Sequence, residues 1–236
     1  MDFRTRLIKT LKCVGPVLQE PGVLIAGSEV PNLLEADARS TLVVSQDLDI
    51  VVPVESHARV KARLQEITGL KRSGEEPSVW LPLSPDLIEV NFIGMDTRSE
   101  RAGETYLLED DELPLIVFAQ LSLLSPGKLL RIEGLEVPLP RPAGLLLEKL
   151  VTDRSGEKGE RDLLVALALL LVCEPPDIRE LEALYRGLPE EQQYAARSAL
   201  SLLSLIAPHP QMPDPTPHRP LLARLLARLE TMEPAR

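Results

Sequence analysis

The chain has 236 residues, of which 44% are hydrophobic and 3% aromatic, so its length allows one large or two small globular domains with aliphatic cores. The formal net charge of −10 excludes a broad basic face for nucleic acid, but it leaves room for a local pocket that holds a triphosphate. The longest apolar run, residues 163–173, is too short to span a bilayer, and no signal peptide is visible, so we expect a cytoplasmic protein with no membrane partner.

The first half of the chain alternates helical and strand patterns. Apolar residues at helical spacing predict helices over 4–19 and 56–68, the second capped by Ser56. Ser28 is a candidate cap for a short helix after the Gly27-Ser28 turn. Short apolar runs bounded by turn residues predict strands, which lie at 23–26, 48–54, 78–83, 86–93, 113–120 and within 129–140, where Glu133-Gly134 is a turn between two of them. This order predicts an α+β protein with a mixed β-sheet flanked by helices.

From Pro142 onward the pattern is helical. Proline and acidic residues open several of the segments, as is typical of helix N-termini. The predicted helices lie at 142–153, 159–173, 176–188, 189–207 and 220–232, with a proline-rich linker or packed loop over 208–220. We therefore expect an α/β domain over residues 1–140 and an all-helical C-terminal domain over residues 141–236.

Two acidic residues stand inside the buried-strand pattern "SQDLDIVVP". Asp47 and Asp49 are two positions apart, so their side chains point to the same face of a strand, where like charges repel. A divalent cation such as Mg²⁺ would relieve that repulsion, and Glu89 on a later strand is the candidate third ligand. Gly27-Ser28 forms a turn at which the backbone can approach a phosphate. The alternative is an acid pair on an exposed strand edge.

The ordered set "LIAGSE…SQDLDIVVP…LIEVNF" resembles the nucleotidyltransferase superfamily in its minimal, DNA-polymerase-β-like form. Residues 135–170 are similar to the segment after the catalytic sheet in bacterial nucleotidyltransferase-like proteins, which include relatives of the abortive-infection toxins. The turn has one glycine where the family pattern commonly has two. Asn91 lies on the same face as Glu89 and is the other residue that can align with the third acid of the family.

The resemblance implies a role for each of these residues. Asp47 and Asp49 would bind Mg²⁺ or Mn²⁺, with Glu89 as a further metal ligand or as the base for the incoming hydroxyl. Gly27 and Ser28 would contact the triphosphate of a bound NTP. A group of nucleotide-binding residues follows in the helical segment, comprising Lys149, Lys158, Arg161 and Asp162, in which Lys149 neutralises a phosphate and Asp162 orients Lys149 or Arg161. Lys149 has a second interpretation, in which it extends along its helix to reach solvent.

The resemblance therefore predicts a magnesium-dependent nucleotidyltransferase. It would move a nucleotidyl group from an NTP to a hydroxyl of RNA, a protein or a small molecule. One alternative keeps the fold without the chemistry, as a nucleotide sensor or a scaffold that binds a protein partner through its helical part. A second alternative is the toxin of a toxin–antitoxin pair.

Overall fold

A computed structural model describes residues 3–34, 47–101, 103–152, 156–208 and 214–232, without the side chains of 156–158. The chain divides into two compact units, bounded as Met1–Val30 with Ser45–Pro140 and as Pro31–Val44 with Arg141–Arg236. The first unit contains a mixed β-sheet with helices, and the elements after Pro140 are helical. The predicted α+β class is confirmed.

The first unit contains all of the described strands. They are β1 (Leu24–Ala26), β2 (Asp47–Pro53), β3 (Leu70–Arg72), β4 (Val79–Pro82), β5 (Glu89–Met95), β6 (Tyr106–Leu108), β7 (Leu115–Val117), β8 (Pro126–Ile132) and β9 (Leu135–Pro140). The helices up to Pro140 are α1 (Phe3–Cys13), α2 (Gly15–Leu18), α3 (Glu29–Leu34) and α4 (His57–Arg63), with 3₁₀ turns at Val54–Ser56, Leu64–Glu66 and Ala119–Leu123.

The main sheet has the order β1-β2-β5-β4-β3, with β7 paired to β5 and β6 paired to β7. Strand β1 runs antiparallel to β2, and β2 runs parallel to β5. Strands β8 and β9 form a separate hairpin, whose turn residues Glu133 and Gly134 have φ angles of 48° and 82°. The sequence places this hairpin after the sheet strands, but it does not pair with them.

Strands β2 and β5 are central because their alternate side chains are apolar. Leu48, Ile50, Val90 and Phe92 are at most 1% exposed and fill the core on one face. Burial of each such side chain contributes roughly 1.5–3 kcal/mol to stability. This core face fixes the pairing register, because a slip of one residue would turn the polar positions of both strands inward.

The N-terminal helix differs from the prediction. Instead of one helix over 4–19, α1 ends at Cys13 and α2 begins at Gly15. Pro16 explains the break, because it lacks the backbone N–H that would continue the hydrogen-bond ladder of α1.

The helix predicted over 56–68 is also shorter, with α4 flanked by 3₁₀ turns. Ser56 is the N-cap residue of α4, as predicted, but its side chain makes no capping hydrogen bond. Its hydroxyl donates instead to the carbonyl of Pro21, at 2.6 Å, and ties the start of α4 to the loop before β1.

The second unit is built from helices with apolar inner faces. They are α5 (Pro142–Val151), α6 (Gly156–Val172), α7 (Pro175–Arg186), α8 (Glu190–Leu205) and α9 (Arg219–Glu230). Helix α7 begins with a capping box, in which the backbone N–H of Glu174 donates to Asp177 at 2.8 Å. Of the proline-rich stretch, residues 209–213 lie outside the described residues, and Thr216–His218 forms a 3₁₀ turn. Within the described ranges, none of the helices combines the length and the apolar character needed to cross a membrane.

Candidate functional site

Parallel pairing of β2 with β5 gathers four polar side chains on one face of the sheet. Asp47 lies opposite Glu89, and Asp49 lies opposite Asn91. All four are half-buried, in contrast to the fully buried residues that alternate with them. The two-residue period that predicts a shared face for Asp47 and Asp49 is therefore observed, and the partner strand supplies two more polar groups to that face.

The amide of Asn91 joins the two aspartates. Its Nδ2 donates to Asp47 Oδ2 at 2.9 Å and to Asp49 Oδ1 at 3.2 Å. A single amide nitrogen within hydrogen-bond distance of both carboxylates means that they converge on one point. The partial positive charge of the amide offsets part of their repulsion.

The Gly27-Ser28 turn lies beside this pair. Residue Ala26, at the end of β1, pairs with Asp49, so the next residue, Gly27, borders the Asp49 carboxylate. Gly27 has a φ of +133°, which L-residues with a side chain rarely adopt. A Cβ at this position would lie 3.0 Å from Asp49 Oδ2 and would collide with Glu29 Oε2. Glycine is therefore required here both for its backbone conformation and for space.

Glu29, at the start of α3, is a member of this group that the sequence analysis missed. It is 1% exposed, and its Oε1 accepts a hydrogen bond from Ser28 Oγ at 2.9 Å. Its Oε2 is buried and has no hydrogen-bond partner among the described residues. Burial, followed by the negative charge of Asp49, raises the pKa of Glu29 well above its usual value. The signal in the sequence was an acid directly after the Gly-Ser turn, in "AGSE".

Glu89 is the first residue of β5, and its pKa is also shifted. Burial raises the pKa of its carboxyl, and the negative charges of Asp47 and Glu76 add to the effect. Glu89 therefore holds a proton more readily than an exposed glutamate does.

The remaining predicted residues lie in the second unit, on α5 and α6. Lys149 is buried, and its Nζ lies 3.0 Å from Glu148 Oε2, so the interpretation in which it extends to solvent is wrong. Arg161 is exposed and Asp162 is half-buried near the start of α6. The side chain of Lys158 lies outside the described residues. The roles assigned to these four residues stay predictions.

The donor set limits the kind of metal that fits. Within the described ranges, no group of three or more His, Cys, Asp or Glu side chains is placed to hold a metal ion. The convergent pair of Asp47 and Asp49 supplies only oxygen donors. Mg²⁺ is commonly bound through one or two carboxylates together with substrate phosphates rather than inside an all-protein cage. The pair therefore fits a Mg²⁺ ion that is shared with a bound triphosphate.

Comparisons with known proteins find similarity among solved structures, but not among protein families or curated proteins. No protein-family model matches the chain, and no curated protein matches it. Among solved structures, the chain is similar to the crystal structure of an antigenic nucleotidyltransferase-like protein from Paracoccidioides brasiliensis. The two chains are 16% identical over 93% of each, with a TM-score of 0.46. These values are too low for the likeness to say anything about the chemistry of the site. That chemistry has to be inferred from the residues of the site itself.

Proposed function

We propose that the first unit binds an NTP together with Mg²⁺ or Mn²⁺ and transfers its nucleotidyl group to a hydroxyl of RNA, a protein or a small molecule. The supporting observation is the convergence of Asp47 and Asp49 on the Asn91 amide, beside the Gly27-Ser28 turn. We further propose the domain division expected from the sequence, with residues 1–140 as the nucleotidyltransferase-like α/β domain and residues 141–236 as a helical C-terminal domain.

Each side of the site has a distinct task in this proposal. Asp47 and Asp49 hold the cation, which neutralises the phosphates and favours ionisation of the attacking hydroxyl when bound. Gly27 lets the backbone of the turn approach the triphosphate, because a side chain at this position would occupy that space. Ser28 lies next to it and keeps the turn attached to Glu29 through its hydroxyl.

Glu89 is the candidate general base. It lies opposite Asp47 on the adjacent strand, and its pKa is raised by burial and by Asp47. A carboxylate with a raised pKa accepts a proton more readily than an ordinary one. The acceptor hydroxyl would lose its proton to Glu89 while its oxygen bonds to the α-phosphorus, and the bond to the leaving pyrophosphate would break.

A second candidate function is nucleotide binding without transfer. Asn91 supports it, because an amide, rather than a carboxylate, stands opposite Asp49. A site with two metal-binding carboxylates can hold one cation and a nucleotide without positioning a second cation for catalysis. In that case the protein acts as a nucleotide sensor or a scaffold.

Transfer of label from α-³²P-labelled NTPs in the presence of Mg²⁺ and cell extract tests the proposal. We expect labelled acceptor with the wild-type chain and a loss of about 100-fold with Asp47→Asn or Asp49→Asn, because a metal ligand is removed. Asp86→Asn is the matched control, since Asp86 is a half-buried acid of the same unit that pairs with Lys9 at 3.0 Å.

Three results are informative. Label transfer that survives Asp47→Asn would refute the site. Nucleotide binding by calorimetry that requires Asp47, without label transfer, would favour the sensor or scaffold. Nucleotide binding that is equal in the wild type and Asp47→Asn would overturn both candidates.

A further inference from the structure

We propose that Glu29 and Asp49 form a divalent-cation position of their own, which fills without nucleotide. The inference rests on the proposed function only in placing this cation next to the NTP site. It concerns a residue outside the Asp47, Asp49 and Glu89 set that the sequence predicts.

The geometry of the two carboxylates points to a shared ligand. Asn91 donates to Oδ1 of Asp49, whereas Oδ2 of Asp49 faces Gly27. On the other side of the turn, Ser28 donates to Oε1 of Glu29, whereas Oε2 also faces Gly27. Oε2 of Glu29 and Oδ2 of Asp49 thus both lie against the same glycine.

The orphaned oxygen is the second, independent observation. Glu29 is 1% exposed, and its Oε2 has no hydrogen-bond partner among the described residues. A buried acceptor without a donor is costly, and burial of an unpaired charge costs more. The charged groups with the strongest effect on Glu29 are Asp49 and then Asp47, both acidic. A cation beside Oε2 would give this oxygen a partner and would offset the repulsion between Glu29 and the two aspartates.

The chemistry of the donors selects the ligand class. Only oxygen atoms are offered, so hard divalent ions such as Mg²⁺, Mn²⁺ or Ca²⁺ are preferred over Zn²⁺, which favours nitrogen and sulfur. A monatomic ion is also the cation best suited to an oxygen as deeply buried as Oε2, since an organic ammonium group would need far more room. Waters would complete the coordination, as they do in most Mg²⁺ sites.

Titration of the full chain with Mn²⁺ in the absence of nucleotide, followed by electron paramagnetic resonance of the free ion, tests the inference. We expect saturable binding by the wild type and a loss of affinity of at least about 10-fold in Glu29→Gln, which keeps the shape of the side chain but removes its charge. Glu66→Gln is the control, because it removes the same charge from an exposed residue that pairs with Arg63 at 2.8 Å. Asp49→Asn should weaken binding as strongly as Glu29→Gln.

The possible results separate this inference from the proposed function. Equal Mn²⁺ affinity in the wild type and Glu29→Gln, or no binding without nucleotide, would overturn the Glu29 position. Either result leaves the NTP site intact if Mn²⁺-NTP binding still requires Asp47. Conversely, Mn²⁺ binding that depends on Glu29, with no nucleotide binding at all, would support the cation position and refute the nucleotidyltransferase proposal. Circular dichroism of each variant verifies that it is folded.

Discussion

Two buried carboxylates of the first unit, Asp96 and Glu29, have opposite environments. Asp96 is 3% exposed and accepts hydrogen bonds from the backbone of Arg98 and Ser99, at 3.1 and 3.0 Å, and from the hydroxyls of Ser99 and Tyr106. Burial by itself would raise the pKa of Asp96, but these donors lower it to about 2. Glu29 is as deeply buried, yet only its own backbone N–H and the Ser28 hydroxyl stabilise its charge among the described residues, two acids lie nearby, and its pKa is raised.

The difference shows that burial by itself does not fix the charge of a carboxylate, because enough donors can outweigh it, as they do at Asp96 and do not at Glu29. Asp96 has enough donors to remain ionised, and it orders the turn after β5, which gives it a structural role. Glu29 has too few donors for an ionised state and faces Asp49 across a glycine. Groups with raised pKa values beside other acids are typical of functional sites, where a ligand supplies the missing charge.

The largest expected effect comes from Gly27→Ala, which acts on the Glu29 side of this comparison. The alanine would have to adopt a φ of +133°, and its Cβ would lie 3.0 Å from Asp49 Oδ2. Backbone strain and overpacking each cost roughly 1–3 kcal/mol, so we expect the free energy of unfolding to fall by about 3 kcal/mol. Urea denaturation followed by circular dichroism measures it.

Gly134→Ala provides the matched control for this variant. Gly134 also has a positive φ, of +82°, but a Cβ there would meet no atom within 4 Å. It should therefore lose only the strain component, about 1 kcal/mol. Equal losses in the two variants would mean that the carboxylates do not crowd Gly27.

A smaller loss is expected from Asp96→Asn, which acts on the other side of the comparison. Hydrogen bonds to a charged acceptor are stronger than neutral ones, so the variant should lose about 2 kcal/mol at pH 7. The folded pKa of about 2 lies below the ordinary value of 3.8, so the stabilisation by Asp96 is present above pH 3.8 and is lost as the pH falls toward 2. The difference in the free energy of unfolding between the wild type and Asp96→Asn should shrink over that interval. Asp111→Asn, which changes an acid in an exposed loop, is the control and should not lose stability in this way.

The sequence was sufficient to predict the parts of the site that depend on local pattern. The two-residue period placed Asp47 and Asp49 on one face, and the apolar runs located β2 and β5. Glu29 was missed because the local "AGSE" pattern places an acid after the turn but does not report its burial, which depends on the approach of β2 to the turn. Strands β3 and β6 were missed because each has three residues and no apolar alternation. The turn between β8 and β9 is local, and Glu133-Gly134, the pair that predicts it, forms it in the structure.

The smallest expected effect, and the only gain in stability, comes from Glu29→Gln in metal-free buffer. Burial and the charge of Asp49 raise the pKa of Glu29 in the folded state. The contribution of Glu29 to the free energy of unfolding is therefore full at pH values below the ordinary pKa of a glutamate, and it is lost as the pH rises through the raised pKa. The glutamine has no such loss and can donate to Asp49, so the variant should exceed the wild type by about 1 kcal/mol at pH 7 and equal it near pH 4. Thermal unfolding at both pH values measures this difference in stability.

Saturating Mn²⁺ should then stabilise the wild type and not the variant, because only the wild type retains both carboxylates. The order of the two stabilities at pH 7 should therefore reverse. A variant less stable than the wild type at pH 7 without metal would show that Glu29, like Asp96, has all the donors that it needs.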